Sequence, residues 1–152
     1  ASAKYANDLS VKAILELSKK PYFSELEFKM IGDGKLFDEI LEPLRKFDNV
    51  IIQRGFLKQN EIADLHKEYG VFLTPTRMDA QGVSRDEAEF VDGKCGILAP
   101  KNDYLEMAKG IEEIVNSTEK FTVMSENCSQ RVKAQTSARL IINAELVLFN
   151  EI

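Results

Sequence analysis

Val71-Phe-Leu-Thr-Pro-Thr-Arg-Met-Asp-Ala-Gln-Gly-Val-Ser-Arg-Asp-Glu-Ala88 is the stretch on which the reading of this chain turns. It opens with a short apolar run, Val71–Thr74, of the kind a buried strand uses. Pro75 ends the run, Gly82 follows, and the sequence then reads as the start of a helix. Two carboxylates, Asp79 and Glu87, bracket seven residues. A strand that ends in a glycine-bearing loop and feeds a helix start makes a site for a phosphorylated ligand, because the first amides of the helix have no intrahelical partner. The flanking carboxylates can accept hydrogen bonds from hydroxyls, as a ribose and a sugar would offer.

Working outward, short apolar runs alternate with amphipathic ones. Asn7 and Asp8 are expected to cap a helix over Leu9–Ser18 that Pro21 closes. A strand is expected at Leu26–Ile31, ending in Gly32-Asp33-Gly34, and then a helix from about Lys35 to Phe47, interrupted or kinked near Pro43. Further strands are expected at Val50–Gln53, Val71–Thr74 and Cys95–Ala99. Helices are expected from Asn60 to Tyr69, from an Asn102 or Asp103 cap to Asn116, and over Thr118–Ala134 and Ser137–Glu151. This alternation predicts an α/β fold with a Rossmann-like open parallel sheet, helices on both faces and right-handed crossovers. Ligands of such sheets bind outside the carboxyl ends of the strands. Gly32-Asp33-Gly34, Arg54-Gly55-Phe56 and the loop Pro75–Gly82 all fall there. A dinucleotide fingerprint is not complete at the first of these, since Phe37 stands where its third glycine belongs.

Two carboxylates at this spacing arise by chance in a chain that is 30% charged, so the pair has meaning only in company. Its company is Pro75, Thr76, Arg77, Gly82, Glu87 and Ala88 in order and spacing. With them the stretch resembles the acidic-x7-acidic signature of retaining glycosyltransferases built from two Rossmann-like domains, family 4 in particular. Asp79 stands where that family has Glu, one methylene shorter. The resemblance covers most of the chain and includes the Ile31-Gly-Asp-Gly34 turn. In the family, Glu-Ala leads into an apolar strand and a small loop before an Asp-Gly-x-x-Gly-x-Leu run. Here Glu87-Ala88 passes straight into Glu89-Phe-Val-Asp-Gly-Lys-Cys-Gly-Ile-Leu98, so a strand-loop segment is missing between 88 and 89. It is either truly deleted or disordered and left out. A deletion would leave no length to join the helix start to the turn, which favours omission.

The resemblance implies a single nucleotide-sugar-binding domain over 1–152, the C-terminal half of a glycosyltransferase whose N-terminal acceptor-binding domain lies elsewhere in the protein. It implies a UDP-, GDP- or ADP-linked sugar as donor and transfer to a glycan or lipid-linked acceptor with retention of configuration. Glu87 would hold the ribose and Asp79 the transferred sugar; these two are the expected catalytic residues. Gly82 and Val83 would offer amides to the diphosphate or sugar. Arg54 and Arg77 are candidate counter-charges, since a guanidinium fork suits a diphosphate. Gly32, Gly34, Gly55 and Phe56 complete the expected donor contacts. No cofactor and no metal are expected; no Asp-x-Asp occurs in the sequence, and family members work without an essential metal. As a fragment the chain is expected to be inactive. The alternative is a non-catalytic nucleotide-binding or regulatory module of the same fold.

Composition narrows the field further. The chain has 152 residues, 44% hydrophobic, with a net charge of −5, which suits one packed domain and gives no basic surplus for nucleic acid. No apolar run reaches the ~20 residues that span a bilayer, no signal peptide is seen, and a cytoplasmic setting is expected, with a peripheral position at the inner membrane face as the alternative for the whole enzyme. Cys95 and Cys128 lack metal-type spacing and are expected to be free thiols. His66, the single histidine, lies beside Lys67 and Glu68 and is expected at the surface.

Overall fold

The computed structural model describes residues 6–75 and 92–136, together with Ile142. The chain divides into two compact units, Ala1–Gly82 with Ala99–Glu112, and Val83–Leu98 with Glu113–Ile152. The described residues are mixed α/β, with a two-stranded parallel sheet and five α-helices.

In the first unit, α1 runs over Asn7–Leu17. The residue before it is Ala6, in the left-handed region at φ 49°, so the cap is not Asn7 or Asp8 as the sequence suggested. Asp8 instead lies in the first turn, where a carboxylate complements the helix dipole. Leu9, Val11, Ala13, Ile14 and Leu17 are all buried, and α1 packs against both α2, Phe37–Leu41, and a 3₁₀ turn at Glu42–Leu44. A helix over about 35–47, interrupted or kinked near Pro43, was expected there. Pro43 has no N–H to give to an α-helical ladder, and the chain tightens instead. Arg45 N–H bonds Glu42 O at 3.2 Å and Phe47 N–H bonds Leu44 O at 3.1 Å. The tightening still serves the core, since Phe37, Leu41 and Leu44 are all buried.

Two strands flank this helical crossover, β1 at Phe28–Gly32 and β2 at Val50–Arg54. They pair in parallel from Phe28↔Val50 to Gly32↔Arg54. At the amino end, Asn49 Nδ2 donates to Phe23 O and to Leu26 O, each at 2.8 Å, while Phe28 N–H bonds Asn49 O at 2.9 Å. The Phe23 ring stacks on Phe28 (5.5 Å) and meets Phe47 edge-on (5.1 Å). The sheet is less covered than expected. All of β1 is half-buried, and in β2 Val50 is buried while Ile51 is 40% exposed.

Helix α3 follows at Gln59–Glu68, entered by a Glu61 carboxylate that accepts the Lys58 N–H at 2.6 Å. None of its residues is fully buried, and His66 is exposed. The strand expected at Val71–Thr74 does not form; this backbone is irregular, and Phe72 sets its ring 5.5 Å from that of His66 rather than into the sheet. Tyr69 nevertheless ties the segment to the start of β1, its hydroxyl donating to the Glu27 carboxylate, which pushes the phenol up to about 12.

Helix α4, Tyr104–Val115, is capped by Asp103, whose Oδ1 accepts the N–H of Leu105 (3.1 Å) and of Glu106 (3.0 Å). Within the first unit its Glu112 carboxylate is held by Lys20 Nζ at 2.9 Å and by the Tyr22 hydroxyl at 2.8 Å. The second unit contains a turn at 92–96 and helix α5, Thr118–Thr136, on which Met124 is buried. Lys120 N–H bonds the Ser117 hydroxyl at the start of that helix. The expected strand at Cys95–Ala99 is reduced to an isolated bridge, Asp92↔Gly96. Apart from Ile142, the helix expected at Ser137–Glu151 lies outside the described residues, as does the junction between Ala88 and Glu89. No helix among the described residues is long and apolar enough to cross a membrane.

The fold predicts a sharp contrast between two apolar truncations. Leu44→Ala, at a fully buried position under α1, should cost about 2–5 kcal/mol in a urea unfolding titration. Phe56→Ala, at a residue 86% exposed, should change stability by no more than about 0.5 kcal/mol.

Candidate functional site

Parallel pairing puts the carboxyl ends of β1 and β2 side by side. Gly32 pairs with Arg54, and the Gly55 N–H continues the ladder by bonding Gly32 O at 2.9 Å. The loops Gly32-Asp33-Gly34 and Arg54-Gly55-Phe56 are thereby brought together, as expected from the positions of the strands. The backbone needs glycine at two of the three positions: Gly34 has φ 132° and Gly55 has φ 131°. Gly32 has no such conformation, and a Cβ there would sit in ordinary contact with the Phe37 ring at 3.6 Å.

Arg54 is the hinge between the loops. Its Nε donates to Asp33 Oδ1 at 2.9 Å, one terminal nitrogen to Asp38 Oδ2 at 2.8 Å, and the other to Gly34 O at 3.3 Å. The guanidinium carbon lies 5.4 Å from the centroid of the Phe37 ring, within cation–π range. Asp38 also takes Arg45 Nη2 at 2.8 Å, and Arg45 Nε reaches Glu42 at 3.1 Å. Two arginines therefore face three carboxylates, and the cluster carries a net negative charge. Phe56 projects into solvent beside it.

The electrostatics follow from these bonds. The Asp33 carboxyl is held below its ordinary value, first by the Gly34 N–H that its Oδ1 accepts at 2.7 Å and then by Arg54. Arg54 is raised in turn, chiefly by its hydrogen bond to Asp33. As a counter-charge for a diphosphate, Arg54 would first have to leave these carboxylates. Its present work is to fix the Gly34 turn to the end of β2.

Asp33, Asp38 and Arg45 were not singled out from sequence as site residues. The signal that could have found them is an acidic residue inside the glycine turn and another in the first turn of the following helix, both opposite an arginine at the end of the next strand. Their convergence depends on the register Gly32↔Arg54, which no local pattern contains. Asp79, Glu87, Arg77, Gly82 and Val83 lie outside the described residues. Among the described residues, no group of three or more His, Cys, Asp or Glu side chains is placed to hold a metal ion. No protein-family model matches the chain, and no curated protein matches its sequence.

The lowered Asp33 carboxyl gives a pH dependence with a definite sign. Its folded value lies below its unfolded one, so its contribution to stability is present above the unfolded value and fades as pH falls through the folded one. Carboxyl-carbon NMR titration should find Asp33 below the ordinary aspartate range. Arg54→Gln should raise it only part of the way back, because the Gly34 N–H remains.

Proposed function

We propose that the chain is the donor-binding part of a retaining glycosyltransferase with two Rossmann-like domains. The observation that carries this reading is the juxtaposition of the Gly32–Gly34 and Arg54–Phe56 loops at the carboxyl ends of two adjacent parallel strands, where ligands of open α/β sheets bind. The sequence 74–88 adds the acidic-x7-acidic pattern.

In this reading Phe56 offers a ring to the nucleobase, and the turn held by Arg54 keeps it in place. Glu87 binds the ribose, Asp79 faces the sugar, and the amides of Gly82 and Val83 with the Arg77 side chain meet the diphosphate. The chemistry asked of these groups is stabilisation of a departing nucleoside diphosphate, for which preorganised amides and cations are suited. The donor is a UDP-, GDP- or ADP-linked sugar. The acceptor, a glycan or lipid-linked glycan, would be held by an N-terminal domain. The engagement of Arg54 by Asp33 and Asp38 favours a second reading, a non-catalytic nucleotide-binding module, because it leaves less positive charge for a diphosphate.

A ligand-observed NMR titration with UDP, GDP, ADP and their sugars separates the outcomes. The donor reading expects one nucleotide to bind, with binding weakened at least tenfold in both Phe56→Ala and Glu87→Ala. A nucleotide that binds equally well to wild type and Glu87→Ala would favour the module. Absence of binding by all of them, with the strand-loop segment and acceptor domain restored, would refute both.

A further inference from the structure

The two thiols of the chain, far apart in sequence, meet in the second unit. Cys128 lies on α5, and its sulfur is 2.9 Å from the backbone carbonyl oxygen of Cys95 in the turn 92–96. One residue earlier, Asn127 Nδ2 donates to Lys94 O at 2.9 Å, so the helix grips the turn at two successive residues. Burial, and then the Cys95 thiol beside it, push the Cys128 thiol up, while Arg131 pulls the other way. Both cysteines are half-buried thiols. Cys95 also lines a cleft of about 310 Å³ with Lys94, Asn127, Gln130, Arg131 and Ala134. Cys128 does not line it. The cleft carries two cationic side chains, and the turn that holds Cys95 is flanked by Gly93, at φ 72°, and Gly96, so it can adjust its backbone.

We propose that Cys95 and Cys128 are a reversible dithiol–disulfide pair, oxidised through the cleft by a small anionic disulfide such as oxidised glutathione. Cys95, the cysteine that lines the cleft, is the attacking group. Its thiolate attacks one sulfur of the oxidant, forming a mixed disulfide and expelling one glutathione thiolate. The Cys128 thiolate then attacks the Cys95 sulfur. The protein disulfide forms and the second glutathione thiolate leaves; the two protein thiol protons pass through water to the two glutathiones. Two protein thiols are oxidised and one glutathione disulfide is reduced. Cys128, whose sulfur lies against the Cys95 backbone, suits the resolving role, since it has to react only with a sulfur already delivered next to it. The product fastens the turn to α5, closing a loop that runs through α4 and the start of α5.

The test is incubation of the full 152-residue chain with oxidised glutathione at about pH 8, near a thiol's ordinary value, followed by denaturation, maleimide counting and non-reducing peptide mapping. The expected result is loss of both maleimide-reactive thiols, a peptide pair joined through Cys95 and Cys128, no retained glutathione, a raised Tm, and recovery of both thiols with dithiothreitol. Cys128→Ser should stall with glutathione on Cys95, and Cys95→Ser should leave Cys128 reduced over the same time. Two persistent thiols in the wild type, glutathione retained on both cysteines, or chains linked to one another would each overturn the pairing.

Discussion

The parallel register from Phe28↔Val50 to Gly32↔Arg54 is the constraint on which the first unit depends. Parallel strands cannot be joined by a tight turn, so residues 33–49 must carry the chain back along the sheet. They do so with α2 and the Glu42–Leu44 turn, whose Phe37, Leu41 and Leu44 side chains are buried as α2 and the turn pack on α1. Non-directional burial supplies the cohesion; hydrogen bonds set the alignment. Asn49 fixes the amino end by satisfying two carbonyls at once, and Arg54 fixes the carboxyl end by joining the two loops. A shift of register by one residue would separate Arg54 from Asp33 and turn the side chains of a strand to its opposite face.

The same pairing that makes the loops neighbours also determines their charge. Arg54 emerges from β2 directly opposite Gly32, so it meets the Asp33 carboxylate and the Gly34 carbonyl before it meets solvent ligands. Asp38 comes to the same place because α2 starts immediately after the glycine turn. What remains at the surface is a turn held by Arg54, an exposed aromatic ring at Phe56 and a locally acidic rim. A nucleobase and ribose fit such a surface better than a bare phosphate does.

Much of the first unit was legible in the sequence because its signals are local. The apolar spacing of α1, the apolar run of β2 and the Asp103 cap each depend on a few adjacent residues, and each element formed within a residue or two of its expected bounds. Pro43 announced a break, although not that the helix would shrink to Phe37–Leu41. The misses share one cause. Val71–Thr74 and Cys95–Ala99 have strand-like composition, but a strand exists only against a neighbour, and neighbours are a property of the whole sheet. The Arg54 network was hidden for the same reason, as was the approach of Cys128 to Cys95. The loop glycines were half legible: a Gly-x-Gly turn marks a special backbone, yet only Gly34 of that turn has a positive φ.

The claim that the ends of β1 and β2 hold a nucleotide is tested most directly by photo-crosslinking. A UDP, GDP or ADP carrying an azide on its base would be activated on the chain, and the labelled peptide mapped by mass spectrometry. The account predicts label on the peptide containing Arg54-Gly55-Phe56, suppressed by excess unmodified nucleotide. Competable label confined to α4 or α5 would contradict it.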